Sequence, residues 1–397
     1  MKFIKPFVSL FLITLFTLSC SNKPSSPVNT NVFNISGTIK GMGNDLLFTR
    51  ILDSTSKTGY RIDTLKIVND SFSYTGFASS VEKREYYSKK EALIKKVDRG
   101  WIPAKSNYLT LYVFPGAQVE VTGEVTNYMN AFPSGDITNT KLTELNKLIY
   151  PLINTIADKN VAAFYEKDTI VKNQHYKVAN TLALQVQDLK IDFITKNLNS
   201  VVSVETMLDM VGRKQLEGEA AIALFENLNP QLSNTSYYKE LKKRINGIKN
   251  TRIGQTVTNI KTTSTLYGDL FDLSTYKGQF VILDFWGTWC GPCVSEMPEL
   301  STYYHENKQH LKIVAINSGD IKQRISDFLE KHPEYDWIQL LSEKGDTESN
   351  FVNQFNVTNF PTKIILNPQG KILKKYVGYD KDMYSFIDNQ IQTYYFN

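Results

Sequence analysis

The sequence predicts a multidomain protein with an N-terminal all-β sandwich, a central α-helical segment and a C-terminal α/β domain. Three patterns along the 397 residues support this division. Short runs that alternate apolar and polar residues fill 32–130, helical apolar stripes fill 138–250, and strands alternate with helices over 254–397. The chain is long for one domain, and its hydrophobic content of 42% is sufficient for ordinary cores.

Residues 1–20 predict an export signal. Lys2 and Lys5 form a basic start, an apolar run follows over 6–19, and Cys20 comes next. The run is too short to span a bilayer comfortably. Its ending, Leu15-Phe-Thr-Leu-Ser-Cys20, resembles a bacterial lipoprotein cleavage box, which implies lipidation of Cys20; plain secretion is the alternative. Residues 21–31, rich in Ser, Pro and Asn, then predict a flexible tether that holds the folded part off a membrane.

The charge balance and the cysteine count narrow the classes of function. The formal net charge is +5, and Lys2 and Lys5 supply two of those charges. This balance is too small for a polyanion-binding surface, so nucleic-acid binding is not expected. If Cys20 carries a lipid, Cys290 and Cys293 are the thiols of the mature chain. An exported protein with this cysteine usage does not rely on disulfides for its stability.

Residues 32–130 and 138–250 carry no predicted chemistry. Strands are predicted at 33–39, 61–68, 71–74, 108–114 and 118–122, with a hairpin turn at Asn69-Asp70. Tyr86, Tyr87 and Trp101 are expected in the core rather than on a partner-binding surface. Helices are predicted at 142–156, 182–194, 204–211, 217–228 and 237–248, with breakers at Asn229-Pro230 and Gly247.

The stretch 280–293 carries the functional signal. The apolar run 280–286 predicts a strand buried on both faces, and a tight turn leads from it to Cys290-Gly-Pro-Cys293 at the start of a helix. A helix N-terminus stabilises a thiolate and lowers the pKa of the first sulfur. The spacing favours a redox pair over a structural disulfide. A zinc site would need two more ligands, and the four histidines show no ligand spacing, so no metal is expected.

The elements after the cysteines predict a mixed sheet between helices. They are a buried strand at 311–317, a helix at 321–331, an extended run at 337–341, a helix at 347–355, a hairpin over 363–377 and a closing helix at 382–394.

With these residues in view, 254–397 resembles a thioredoxin-like domain of the TlpA/ResA type, a group of membrane-anchored, exported thiol–disulfide oxidoreductases. Trp289-Cys-Gly-Pro-Cys293 matches the redox motif, Phe360-Pro-Thr362 the cis-proline loop, and Pro298 the proline that kinks the active-site helix. Residues 32–130 resemble the small β-domain that precedes such domains in many Gram-negative envelope lipoproteins. The resemblance implies a thioredoxin fold and a lipid-anchored, periplasmic location in the cell envelope.

The chemistry and the resemblance together give roles to individual residues. Cys290, nearer the helix start and more exposed, is expected to be the attacking thiolate, and Cys293 to resolve the mixed disulfide. Trp289 is expected to shield the sulfurs. The family's cis-proline loop implies that Phe360, Pro361 and Thr362 bind a substrate strand.

Two carboxylates are candidates for proton transfer. Asp284 lies in the apolar strand, where an unpaired charge is costly, so a raised pKa and proton exchange with Cys293 are expected. Asp284 aligns with thioredoxin's buried acid, whereas Glu296 aligns with the acid that ResA-type proteins place near their cysteines. The sequence favours Asp284 as the proton carrier, and Glu296 is the alternative unless it faces solvent.

The predicted function is reduction of protein disulfides in the cell envelope, without a bound cofactor. The resemblance implies disulfide-containing envelope proteins as substrates and a membrane thiol reductase of the DsbD or CcdA kind as electron donor. Two alternatives stay open: a disulfide oxidase or isomerase, and an envelope partner- or ligand-binding lipoprotein in which the redox domain is accessory. Dithiol peroxidase chemistry is disfavoured because its characteristic Thr-x-x-Cys setting is absent.

Overall fold

A computed structural model describes residues 31–52, 55–56, 59–345 and 347–396. The predicted signal peptide at 1–20, the lipidation site at Cys20 and all but the last residue of the predicted tether at 21–31 lie outside the described residues.

Strands dominate the described chain up to Ser134. They are β1 (Val32–Lys40), β2 (Asp45–Leu52), β3 (Tyr60–Ile67), β4 (Ser71–Phe77), β5 (Glu82–Ser88), β6 (Lys96–Val97), β7 (Gly100–Trp101), β8 (Tyr108–Val113), β9 (Gln118–Val125) and β10 (Met129–Ser134). One sheet has the order β10-β9-β1-β4, a second has the order β3-β2-β5-β8, and β6 pairs with β7. Apolar residues of both larger sheets, such as Phe33 and Tyr86, share one buried cluster.

Two expectations for this part concern the turn at Asn69-Asp70 and the burial of three aromatic residues. Asn69 and Asp70 have φ angles of 49° and 65°, which confirms the tight turn between β3 and β4. Tyr86 is buried, as expected, and Tyr87 is half-buried. The expectation of a core position is wrong for Trp101, which is 63% exposed because it lies in the short β6–β7 hairpin outside the larger sheets.

Helices follow, and they begin at polar capping residues. They are α1 (Ile137–Tyr165), α2 (Thr169–Lys196), α3 (Val201–Gly212), α4 (Gly218–Glu226) and α5 (Ser236–Asn250). The Asp136 side chain accepts the Asn139 N–H, and the Asp168 side chain accepts the first free N–H groups of α2, so orphan donors at both helix starts are satisfied. In the part of the chain that the structure describes, no helix is long and apolar enough to cross a membrane.

The C-terminal part is a mixed sheet with helices on both faces. Its elements are β11 (Lys261–Thr262), β12 (Phe271–Asp272), β13 (Phe280–Trp286), α6 (Gly291–Asn307), β14 (Leu311–Ser318), α7 (Lys322–Leu329), β15 (Ile338–Ser342), α8 (Phe351–Gln354), β16 (Thr362–Leu366), β17 (Ile372–Val377) and α9 (Asp382–Tyr395). The order β15-β14-β13-β16-β17 places β13 at the centre, parallel to β14 and antiparallel to β16. Every residue of β13 is buried, as its apolar run predicts.

Two predictions about helix ends are wrong, and both errors concern the contact between α5 and α8. The predicted helix at 347–355 is reduced to α8, because the Asn350 side chain accepts the Asn353 N–H and starts the helix there. Gly247 does not end a helix but lies inside α5. A Cβ at Gly247 would lie 2.5 Å from the carbonyl oxygen of Asn353, so the glycine permits the close approach of the two helices.

Candidate active site

The two cysteines lie where the central strand passes into a helix. β13 ends at Trp286, and Cys290 is the N-cap of α6. Cys290 and Cys293 form a disulfide, and the Cys293 N–H points at Cys290 Sγ over 3.3 Å. The positive end of the helix dipole therefore faces the first sulfur, where it stabilises a thiolate after reduction. The residues are 5% and 3% exposed, so the expected greater exposure of Cys290 is a small difference in this oxidised state.

Trp289 is fixed beside the disulfide. Its ring packs edge-on against Phe360 with 5.2 Å between centroids, and its Nε1 donates a hydrogen bond to the Ser318 carbonyl at 2.8 Å. A Cβ at Gly287 would lie 2.4 Å from that nitrogen, so only a glycine allows this position of the indole. Trp289 remains 52% exposed, which makes it an apolar surface next to the sulfurs.

Asp320 holds the turn that precedes Cys290, and the sequence reading missed it. Its carboxylate accepts hydrogen bonds from the Thr288 N–H and the Thr288 hydroxyl, both at 2.7 Å, and from the Asn317 amide at 2.9 Å. The Asp320 side chain is 1% exposed. An acid three residues after the predicted strand 311–317 is a signal of a residue that anchors a loop, but the groups it binds are determined by the tertiary fold.

The proline loop has the conformation that the resemblance implies. The peptide bond between Phe360 and Pro361 is cis. The Pro361 carbonyl accepts the Gly378 N–H at 2.8 Å, so that oxygen is already engaged within the domain. The Thr362 hydroxyl donates to the Asn359 carbonyl at 2.7 Å and the residue is 1% exposed. The Thr362 hydroxyl therefore stabilises the loop from within, and a role of Thr362 in binding a substrate stays a prediction.

A buried lysine joins the two candidate carboxylates. Asp284 of β13 lies opposite Lys363 of β16 in the sheet register. Lys363 Nζ is 3.2 Å from Asp284 Oδ1 and 2.8 Å from Glu296 Oε1. All three residues are less than 5% exposed. Asp284 is therefore paired rather than isolated, and the burial of Glu296 rules out the alternative in which it faces solvent.

The cluster has two carboxyl groups and one ammonium group. With both carboxyl groups ionised, one negative charge in this buried site would have no partner. Burial raises the pKa of Glu296, and the nearby Lys363 only partly opposes that effect. Burial alone would lower the pKa of Lys363, but Asp284 and Glu296 raise it above its usual value. The lysine thus stays charged, and the raised pKa of Glu296 favours a proton on that carboxyl group.

Lys363 was missed because it reads as the first polar residue of an apolar strand. The signal was available, since a lysine next to the run 364–366 must either leave the sheet or find a carboxylate. The sequence does not show which carboxylates it meets. Within the described residues, no group of three or more His, Cys, Asp or Glu side chains is arranged to hold a metal ion.

Comparison with known proteins agrees with this geometry. A family model described as thioredoxin-like matches residues 278–372. The thiol-disulfide oxidoreductase ResA of Bacillus subtilis is 35% identical over 112 residues, which cover 28% of this chain and 60% of the relative. ResA of Geobacillus kaustophilus is 32% identical over 127 residues, covering 32% of this chain and 70% of the relative. The chain belongs to the ResA-type family of thiol-disulfide oxidoreductases.

The likeness is confined to the C-terminal third of this ResA-type chain. Among solved structures, the thioredoxin domain of a thiol-disulfide oxidoreductase from Bacteroides vulgatus is 26% identical, with a TM-score of 0.32, over 35% of this chain and 98% of that domain. The chain spans about 60% of the length of the first curated relative. The matched family model begins at residue 278, so α1–α5 and the N-terminal sheets lie outside it.

Proposed function

We propose that this protein is a thiol–disulfide oxidoreductase that reduces protein disulfides in the cell envelope. The observation that carries the proposal is the disulfide between Cys290 and Cys293, which lie three residues apart at the N-terminus of α6. This position favours a thiolate on the first sulfur after reduction, and a thiolate is the attacking species in disulfide exchange.

The reaction proceeds in two exchanges. The Cys290 thiolate attacks one sulfur of the substrate disulfide, a mixed disulfide forms, and the other substrate sulfur leaves as a thiolate that takes up a proton. The Cys293 thiolate then attacks Cys290 Sγ and releases the second substrate thiol. Two electrons pass from the protein dithiol to the substrate, and the Cys290–Cys293 disulfide seen in the structure is the product state.

We assign proton transfer with Cys293 to the buried cluster of Asp284, Lys363 and Glu296. Deprotonation of Cys293 requires a nearby group that accepts a proton near neutral pH. The raised pKa of Glu296 and its ion pair with Lys363 support Glu296 as the member that holds the proton. Asp284, favoured on sequence grounds, contacts the same ammonium group at 3.2 Å.

Trp289, Phe360 and Pro361 are proposed to hold the substrate strand. Trp289 and Phe360 pack on each other beside the disulfide, and Trp289 is half exposed. Thr362 supports the same loop through its hydrogen bond to Asn359. An apolar surface of this kind would accept side chains on either side of a substrate cysteine.

The substrates are proposed to be disulfide-containing envelope proteins, and the electron donor a membrane thiol reductase of the DsbD or CcdA kind. The basic and apolar start followed by Cys20 supports lipid attachment in the periplasm of a Gram-negative bacterium. We further propose that the two N-terminal sheets form a β-sandwich over 32–130, followed by a helical domain at 138–250 and a thioredoxin-like domain at 254–397. The buried cluster shared by the two sheets supports the first of these assignments.

Insulin reduction tests the proposed activity. With dithiothreitol as reductant, the wild-type protein is expected to accelerate precipitation of the insulin B chain, and Cys290→Ser is expected to remove that acceleration. Thr302→Ala, at an exposed position of the same helix, serves as the matched control and retains full activity. A wild-type rate no faster than that of Cys290→Ser contradicts the proposal.

A second candidate function, ligand binding by the N-terminal part, is favoured by a cavity of about 640 Å³. The cavity lies against β5 and β8, and its lining includes the exposed Trp101, the cations Arg50 and Lys89, and the buried Asn107. Aromatic walls with a few polar groups are typical of small-molecule sites. If this is the main function, a Cys290→Ser protein keeps full biological activity and Trp101→Ala loses it.

A further inference from the structure

The helical part and the thioredoxin-like part enclose a cleft of about 290 Å³, which we call the charged cleft. It is lined by residues of the helical part, among them Lys214, Glu217 and Arg252, and by residues of the thioredoxin-like part, among them Thr362, Lys375 and Val377. The contact between α5 and α8 at Gly247 fixes the two walls against each other.

The charged cleft begins next to the proline loop. Thr362 directly follows Pro361, and Val377 lies opposite Thr362 in the β16–β17 ladder. The Gly378 N–H, one residue after Val377, donates to the Pro361 carbonyl. Consecutive Cα atoms are about 3.8 Å apart, so the near end of the cleft is about one residue away from the loop proposed to hold the substrate.

The cleft carries more positive than negative charge. Lys214 is exposed, and no carboxylate of the described residues forms an ion pair with it. Arg252 forms a two-point ion pair with Glu219, at 2.7 and 2.9 Å, and its side chain is 41% exposed. Lys375 donates to the carbonyl groups of Phe355 and Asn356 at 3.0 and 2.8 Å. Burial, with a further contribution from the positive charge of Lys214, lowers the pKa of Lys375 to about 8. Glu217 is the acidic residue of the lining.

We propose that the charged cleft receives the polypeptide segment flanking the reactive cysteine of the substrate, and that Lys214 and Arg252 favour acidic side chains in that segment. This inference rests on the proposed function and gives the helical part a role in substrate choice. A substrate strand held by Phe360 and Pro361 would reach the cleft at Thr362, the next residue along the chain and part of the cleft lining. An opposite charge in the substrate would offset the repulsion among the lysines.

Reduction of matched peptide disulfides tests the inference. Two peptides are identical except that Glu or Lys occupies the positions two and three residues from the cysteine on both sides; hydroxyethyl disulfide is the uncharged third substrate. Second-order rate constants are measured by stopped flow with the reduced full-length protein, for wild type and Lys214→Glu. Lys177→Glu, an exposed lysine of α2 with the same change of net charge, is the control.

Lys214→Glu is expected to change the rate constants for the two peptides in opposite directions. Lys214→Glu lowers the rate constant for the Glu peptide by about five- to tenfold and raises that for the Lys peptide by a similar factor. Hydroxyethyl disulfide and the control variant stay within about twofold of wild type. Arg252→Gln, which retains the charge of Lys214, is the second variant if Lys214→Glu fails to fold, and it is expected to show a smaller preference in the same direction.

Two outcomes overturn the proposals separately. Equal responses of the two peptides to Lys214→Glu, or an equal effect of Lys177→Glu, contradict a role of the charged cleft while reduction itself is intact. Failure of the wild-type protein to reduce any of the three substrates, hydroxyethyl disulfide included, contradicts the proposed function instead.

Discussion

Replacing Lys363 with Met should destabilise the thioredoxin-like part in a pH-dependent way. The substitution leaves Asp284 and Glu296 buried without the ammonium group that lies 3.2 and 2.8 Å from them. Removal of one partner from a buried ion pair typically costs about 3–5 kcal/mol of the free energy of unfolding. Protonation of Glu296 reduces this cost, and the extent of that protonation depends on pH.

The size of the effect follows from the pKa values of the unfolded chain. If Glu296 must be protonated in the folded variant, the cost relative to an unfolded pKa of about 4.3 is about 5 kcal/mol at pH 8 and about 1 kcal/mol at pH 5. A carboxyl group whose folded pKa is raised contributes full stability below its unfolded pKa. That stability is lost as pH rises toward the folded pKa. The deficit of Lys363→Met is therefore expected to be about 3–5 kcal/mol at pH 8 and about 1–2 kcal/mol at pH 5.

Urea unfolding of the oxidised full-length protein, followed by tryptophan fluorescence, measures this deficit. Three of the four tryptophans, Trp286, Trp289 and Trp337, lie in the thioredoxin-like part and report on it. Lys371→Met, at an exposed lysine of the β16–β17 hairpin, is the control and should be nearly neutral. The double variant with Glu296→Gln should recover part of the loss at pH 8. Equal deficits at pH 5 and pH 8 would refute the account of the cluster.

Three further predictions follow from the site and the fold. Glu296→Gln should slow resolution of the mixed disulfide by about tenfold or more and flatten the pH dependence of that step near neutrality, whereas Asp284→Asn should have the smaller effect. Acid quench followed by alkylation measures both rates, and a larger effect of Asp284→Asn would identify Asp284 as the proton carrier instead. Cys293→Ser should accumulate mixed disulfides with substrate proteins, seen as thiol-sensitive bands on non-reducing gels, and their absence would contradict its resolving role. Gly247→Ala should lower the free energy of unfolding by about 1–3 kcal/mol and expose the α5–α8 contact to proteolysis, because its Cβ would lie 2.5 Å from a backbone oxygen of α8. Gly212→Ala, with open space around it, should be neutral, and equal effects of the two substitutions would refute the packing argument.

Hydrophobic periodicity was sufficient to predict the elements whose buried faces do not change along their length. The apolar run 280–286 predicted the central strand, and helical stripes predicted α1 to α5, because each pattern reflects one face or two faces of a single element. The same reasoning failed at Gly247, where a glycine that weakens a helix locally is required by the neighbouring α8. A close approach between elements distant in sequence has no local signal.

The candidate site also has features that the sequence predicts and features that it does not. The motif at Cys290 and Cys293, and the cis bond before Pro361, were readable because they depend on short spacing or on a family pattern. The partner of Asp284 was not readable, because Lys363 becomes its neighbour only through the β13–β16 register. An acidic residue in a buried strand predicts that some compensation exists, but not whether a proton or a lysine supplies it.

The equilibrium reduction potential of the Cys290–Cys293 pair tests the central claim most directly. The purified protein is titrated against glutathione or dithiothreitol, and the oxidised fraction is followed by thiol labelling. The account predicts a reducing value near that of thioredoxin, about −270 mV. A value near that of DsbA, about −120 mV, would make the protein an oxidant or isomerase and contradict its role as a reductase. If the cysteine pair can be neither reduced nor reoxidised, the redox function is excluded, and the N-terminal cavity becomes the remaining candidate site.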